Sequence, residues 1–248
     1  MTEPVLNVRN LTVNYGAKRV LTDITLSILT GEWFTLLGPN GSGKTTLLRC
    51  VSGQIAPAAG NVRIGGHSVI EAPERAKRLL GCAHPPEALP GLLTGRQCLE
   101  VYAAAHELPS VGGDILDLAV ELRLASALDQ WVNTYSLGMR QKLSILLALI
   151  GNPALIVLDE AFNGLDPASA LTVKHVLQER VAHRRSAVLV ATHALDLVLR
   201  YGTRAVLLLD GAVVKSWSTE ELDTMRADEP GAFESALASA VSTSAGER

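Results

Sequence analysis

The stretch Gly38-Pro39-Asn40-Gly41-Ser42-Gly43-Lys44-Thr45-Thr46 constrains this chain more than any other. It matches G-x-x-x-x-G-K-T, in which glycines let the backbone curl so that successive N–H groups point inward at anionic oxygens. Lys44 then supplies a positive charge for β- and γ-phosphates, and the Thr45 hydroxyl suits Mg²⁺. The flanks agree with this reading. Trp33 to Leu37 is a short apolar run expected to form a buried strand, and Thr45 to Cys50 is expected to form a helix whose positive end faces the phosphates. A flexible Gly/Ser turn accounts for none of that context, so the segment implies binding of ATP or GTP.

The rest of the chain narrows the setting. At 248 residues and 48% hydrophobic content, it can bury a large core in one or two lobes. Its net charge of −3 offers no global field that would draw it onto nucleic acid. No uninterrupted apolar run reaches the ~20 residues that a bilayer span needs. The start, Met1-Thr2-Glu3-Pro4, lacks the basic flank and apolar stretch of a signal peptide. Cys50, Cys82 and Cys98 have no metal-type spacing and read as small buried hydrophobes in a reducing compartment. A soluble, cytoplasmic chain is expected.

The order of elements predicts a mainly parallel α/β core. Val5 to Tyr15 and Val20 to Ile28 are β-rich runs separated by Gly16-Ala17. Asn61 to Ile64 and His67 to Val69 read as a hairpin around Gly65-Gly66. From about Pro85 to Gly151 the pattern turns helical. Its clearest helix starts at Ser136 as N-cap and carries Met139, Leu143, Leu146, Leu147 and Ile150 on one face. Ala154 to Leu158 and Ala187 to Ala191 are continuous apolar runs, the mark of strands covered on both faces. Asp166-Pro167 reads as N-cap and first residue of another helix. Arg204 to Leu209 and Ala212 to Trp217 pair across Asp210-Gly211. Strands alternating with helices around a phosphate loop argue for that parallel core.

Further chemistry falls at strand ends. Asp159-Glu160 follows the run Ala154–Leu158, where sheets of this class bind ligands. Asp159 suits Mg²⁺ through its water shell, and Glu160 suits orienting and deprotonating an attacking water. An exposed acidic turn is the competing reading. His193 follows Ala187–Ala191 in the same way; it either hydrogen-bonds locally or reaches a γ-phosphate as neutral imidazole.

With these residues in order, the chain resembles the nucleotide-binding subunit of an ATP-binding cassette (ABC) transporter over about residues 5–217. The carriers are Tyr15, Gly38–Thr46, the signature segment Tyr135-Ser136-Leu137-Gly138-Met139, Asp159-Glu160, Asp166 and His193. The resemblance implies a P-loop NTPase (RecA-like) core with an antiparallel β subdomain over 1–84 and 152–228. It implies an inserted α-helical signature subdomain over 85–151, and leaves 229–248 as a flexible tail with at most one short helix. It implies ATP and Mg²⁺, with Tyr15 stacking on adenine, Gly38 to Thr46 on the phosphates, and Thr45 and Asp159 at the metal. Lys44, Glu160 and His193 would carry hydrolysis. Two copies, or this chain and a relative, would meet head to tail, so that Ser136 and Gly138 contact the partner's ATP and Asp166 lies at the interface.

A separate integral-membrane subunit would be driven from the cytoplasmic face, with no nucleic acid involved. The YSLGM-type signature resembles the branch that contains many drug and small-molecule exporters. The alternatives are a soluble ABC ATPase acting on protein or nucleic-acid assemblies, and a degenerate regulatory cassette. The chain departs from the pattern at Pro85, which stands where the family carries a glutamine beside Mg²⁺ and water. Proline cannot make that contact, so weaker metal coupling or altered communication with the partner is expected, and Glu87 is the nearby substitute. Leu137, Met139 and Ala161 are milder departures. Leu89, Leu92, Leu93 and Leu99, within 87–102, are expected either to form a docking groove for the membrane subunit or to pack the helical lobe.

Overall fold

Three short, almost wholly apolar strands organise the molecule. Trp33–Leu37 (β3), Leu155–Asp159 (β7) and Ala187–Thr192 (β8) are buried along almost their whole length. A strand with no polar face must be covered on both sides, which places it inside a layered α/β core. The computed structural model, which describes residues 3–228 and 231–246, shows this arrangement. The chain runs Leu6–Tyr15 (β1), Lys18–Ile28 (β2), β3, Lys44–Val51 (α1), Ala59–Ile64 (β4), His67–Ser68 (β5), Pro73–Arg78 (α2) and Leu80–Cys82 (β6). It continues through Gly95–Ala105 (α3), Gly113–Glu121 (α4), Leu137–Leu149 (α5), β7, Pro167–Ala182 (α6), β8 and Leu195–Tyr201 (α7). Arg204–Leu209 (β9), Ala212–Trp217 (β10), Thr219–Ala227 (α8) and Ala232–Gly246 (α9) complete it.

Two sheets result. The six-stranded sheet has the order β10-β9-β3-β8-β7-β6, with β9 to β6 parallel and β10 added antiparallel at the edge. The four-stranded sheet, β2-β1-β4-β5, is antiparallel. In β1 the register slips between Val8 and Leu11, where Asn10 has φ +47°. That bulge returns Leu11 and Val13 to the face already occupied by Leu6 and Val8. This face and α1 share one core with Phe34, Leu36 and Leu155 of the larger sheet. On the opposite face, α3, α4, α5 and α6 bury a second core around Trp33, Leu146, Ile156 and Val188.

Local signals set the helix ends. Ser136 caps α5 by accepting from the Met139 N–H at 3.2 Å, and Asp166 caps α6 by accepting from the Ser169 N–H at 2.9 Å. One open choice is decided and one expectation changes. Of the leucines expected either to line a docking groove or to pack the helical lobe, Leu89 and Leu99 are in the core and Leu93 packs against it; Leu92 alone stands in solvent, 76% exposed. The stretch expected to be a flexible tail forms α9. Its Phe233 ring lies 5.2 Å from that of Trp217 and is 1% exposed, which supplies the apolar anchor an Ala/Ser-rich helix otherwise lacks. Residues 229, 230, 247 and 248 of that stretch lie outside the described residues.

Candidate functional site: a phosphate cleft at the carboxyl edge of the parallel sheet

The phosphate loop connects β3 to α1 and opens onto a cleft of about 310 Å³. Gly43, the last residue before α1, has φ +109°, and a Cβ there would stand 2.7 Å from Leu21. Only glycine allows this turn. No side chain caps α1 and no acidic residue of its own sits in its first turn, so its positive end faces the cleft. Pro39, Asn40, Gly41, Gly43, Lys44, Thr45 and Thr46 line the cleft, while Gly38 and Ser42 lie behind it. The Ser42 carbonyl accepts from the Gly211 N–H at 3.0 Å, so the β9–β10 turn braces the loop from below.

Charge is concentrated on one wall. The Lys44 ammonium is 6% exposed and donates to the carbonyls of Gly38 (2.6 Å) and Pro39 (3.2 Å). Glu160 Oε1 lies 4.0 Å from Lys44 Nζ and 2.9 Å from His193 Nδ1. Its other oxygen is approached by the Thr192 hydroxyl at 3.3 Å and by Asn163 Nδ2 at 3.4 Å. Glu160 follows β7 with φ +46°, and its N–H bonds the Ala191 carbonyl at 2.9 Å. The ends of two neighbouring parallel strands therefore bring Glu160 and His193 together, although they are far apart in the chain.

Asp159 is the last residue of β7, and its Oδ2 accepts from the Thr45 hydroxyl at 2.7 Å. Burial pushes the Asp159 carboxyl above the usual range, and Glu160 adds to this; the Thr45 hydroxyl, Lys44 and Arg49 pull the other way. A penalised buried anion beside a hydroxyl fits a hard cation, which takes oxygen donors. Among the described residues no cluster of three or more His, Cys, Asp or Glu could hold a metal by itself. The remaining donors of such an ion would thus be phosphate oxygens and water.

Other residues picked from sequence lie elsewhere. Tyr15 ends β1, 47% exposed and outside the cleft lining, where Val20 of β2 stands instead. Ser136 and Gly138 start α5 on the helical side of the molecule, and Asp166 pairs with Lys142 at 2.9 Å. Neither Pro85 nor the exposed Glu87 lines the cleft. The sequence reading missed Val20, Asn163, Thr192 and Lys142. It also missed a second groove of about 330 Å³ lined by Leu80, Cys82, His84, Val101, Tyr102 and His106 among others. The spacing 101/102, 105/106 at the end of α3 was the available signal for it.

The sequence and the fold both match known proteins. Residues 21–163 match the family model described as ABC transporter. The chain is 37% identical over 225 residues to the uncharacterized ABC transporter ATP-binding protein YdbJ of Bacillus subtilis (strain 168), covering 90% of this chain and 72% of that one. It is 36% identical over 211 residues to ATP-binding cassette sub-family A member 7 of Rattus norvegicus, spanning 84% of this chain but 10% of that protein. It is 34% identical over 208 residues to the aliphatic sulfonates import ATP-binding protein SsuB 1 of Nocardia farcinica (strain IFM 10152), covering 84% and 79%. A solved ATP-binding subunit of an ABC transporter superposes with a TM-score of 0.83 at 27% identity, covering 96% of this chain and 99% of that one. A P-loop cassette fold, a phosphate cleft with carboxylates at its strand ends and these matches lead to one conclusion: the chain belongs to the ABC transporter family, as an ATP-binding, ATP-hydrolysing cassette.

Proposed function

We propose that this chain hydrolyses Mg-ATP in a site shared between two cassettes and thereby drives a membrane subunit from the cytoplasmic face. The observation that carries this reading is the convergence of Lys44, Glu160 and His193 on one cleft wall, beside the Thr45–Asp159 pair. The α1 end, the loop amides and Lys44 bind the phosphates, and Tyr15 stacks on adenine. Glu160 takes the proton of the attacking water. His193, with Nδ1 2.9 Å from Glu160 Oε1, holds the carboxylate in place, and when both ring nitrogens carry protons its Nε2–H donates to a γ-phosphate oxygen. Thr45 and Asp159 would hold Mg²⁺, which when bound neutralises phosphate charge.

Ser136 and Gly138 stand apart from this cleft, which fits a second chain closing on the first. The helix start at Ser136 then meets the partner's γ-phosphate, and hydrolysis removes the group that holds the two chains together. The working division is 1–84 with 152–228 as the ATP-binding core and 85–151 as the signature lobe. The groove beside His84, Tyr102 and His106 receives a segment of the membrane subunit; it lies next to Pro85, where the change from glutamine weakens metal coupling or communication. A Pro85→Gln variant with unchanged ATPase rate and Mg²⁺ dependence would sink that last point. The YSLGM-type signature favours export of a drug or other small molecule.

The test is a pull-down from native membranes with tagged Glu160→Gln chain and Mg-ATP, conditions that trap the closed state. Co-purification of one polytopic membrane protein is expected. Recovery of soluble partners alone, or of none, overturns the transporter role for this chain.

A further inference from the structure

The loop 160–166 joins Glu160 to the start of α6, and it is held at both ends. At its first residue, His193, Thr192 and Asn163 surround the Glu160 carboxylate. Its middle folds in two turns, with the Asn163 N–H bonded to the Glu160 carbonyl at 3.0 Å and the Leu165 N–H to the Phe162 carbonyl at 3.4 Å. Phe162 lies 5.3 Å beneath the Lys174 ammonium. At its last residue, both Asp166 oxygens accept from Ser169, at 2.9 Å from N–H and 2.7 Å from the hydroxyl.

The first turn of α5 rests on this loop. A Cβ on Gly138 would stand 2.9 Å from the Gly164 carbonyl oxygen, and the Leu137 side chain lies 3.6 Å from where a Gly164 Cβ would be. Further along α5, Lys142 Nζ lies 2.9 Å from Asp166 Oδ2. Lys142 is 12% exposed, whereas Asp166 is 52% exposed. This is the one ion pair between α5 and the loop among the described residues. The Lys142 side chain is packed along most of its length, so its ammonium has little freedom to move away from its one anionic partner.

We propose that Lys142 is a positioning residue: it locks the loop carrying Glu160 to the helix that begins at Ser136, so that contact of Ser136 and Gly138 with one ATP is passed to the carboxylate hydrolysing the other. The proposal rests on the two-chain site inferred above. Neither Lys142 nor Asp166 lines the cleft, so the pair acts through the loop backbone and not on the nucleotide of its own chain. Coupling of this kind needs a contiguous element that both sites bias, and here it runs from Ser136 through Lys142, Asp166 and Gly164 to Glu160.

The test uses the full chain with four variants: Lys142→Met, Lys142→Arg, Asp166→Asn and the Met/Asn double. Hydrolysis is followed against ATP concentration, and ATP affinity is measured separately by equilibrium binding under monomeric conditions. Lys142→Met is expected to lower kcat ~10-fold and to bring the Hill coefficient down toward ~1, with ATP affinity unchanged. Lys142→Arg should restore both, and the double variant should be no worse than either single one. Wild-type kcat and Hill coefficient in Lys142→Met overturn the proposal, as does an Arg variant that melts normally yet fails like Met. Should Lys142→Met not fold, Asp166→Asn decides alone, since asparagine keeps the cap of α6 while losing the charge; wild-type kinetics there overturn the proposal.

ATP-driven association of Glu160→Gln chains, read by light scattering in parallel, separates the two levels. Failure to associate removes the two-chain site and the proposal with it. Association together with unchanged Lys142→Met kinetics removes the proposal alone.

Discussion

Two helix starts in this molecule face opposite fates. That of α1 opens into a cleft beside a buried lysine, with no side chain over its free amides. That of α5 is capped by its own Ser136 hydroxyl and carries Leu137, 58% exposed, on the outer surface. Neither has an acidic residue in its first turn, so both keep a positive end. The difference lies in what surrounds them. The α1 end has a cleft, a cation and two carboxylates within its own chain, the setting proposed above for the phosphates. The α5 end lines no part of that cleft, and in the proposed two-chain site its anion comes from another molecule.

The largest effect that would sharpen this contrast is Glu160→Gln. Hydrolysis should fall ~10²–10⁴-fold while ATP binding persists, measured as phosphate release against equilibrium binding. Retained turnover would remove Glu160 from the chemistry. Next comes Asp159→Asn, in which Mg²⁺ dependence and hydrolysis are lost together. Its effect on stability runs in the opposite direction. Burial raises the Asp159 pKa in the folded chain, so the ionised form costs stability at neutral pH, and the cost disappears as pH falls through the raised value toward the unfolded one. The nucleotide-free Asn variant should therefore melt higher than the parent at pH 7, and a lower Tm would contradict this account.

Ser136→Ala breaks the comparison most directly. Losing the cap costs about 1 kcal/mol of helix stability, and ATP-driven association should weaken while single-chain ATP affinity holds. If affinity in the single chain fell as far as in Lys44→Ala, the two helix ends would not be separate half-sites. Tyr15→Ala should cost about 1 kcal/mol, roughly fivefold in ATP affinity, with no change in association of saturated chains.

The smallest effect concerns the second groove. Both His84 and His106 are half-buried there, and desolvation lowers the pKa of each in the folded chain. The unfolded chain takes up protons at these histidines below pH ~6.5, whereas the folded chain resists. Their contribution is therefore neutral above that pH and destabilising as pH falls from it toward the folded values. Tm measured between about pH 7.5 and 5.5 should decline, and His84→Gln with His106→Gln should flatten the decline. An unchanged slope in that double variant would remove the two histidines as its source.

Much of the fold is legible in the sequence because its signals are local. The runs at β3, β7 and β8 are mostly apolar, Ser136 and Asp166 are strong caps, and Asp210-Gly211 is a turn pair, so the elements around them lie close to where the sequence places them. The tail reads as flexible because an Ala/Ser-rich helix shows no periodic apolar face. Its anchor, Phe233, becomes informative only when Trp217 is known to face it. The docking leucines have two open readings for the same reason: a leucine-rich stretch shows that a segment is apolar, not what covers it.

The sequence by itself determined the phosphate loop, the nearby carboxylates and the helix starts, since each depends on bonds between residues a few positions apart. Only the tertiary structure decided that His193 meets Glu160, that Thr45 meets Asp159 and that Lys142 meets Asp166. Two of those pairs join residues from separate strands or loops, brought to one edge by the order β3-β8-β7 in the sheet, and the third joins two helices packed on its face. Strand order and helix packing follow from burying the whole chain at once, and no local stretch of sequence carries that information.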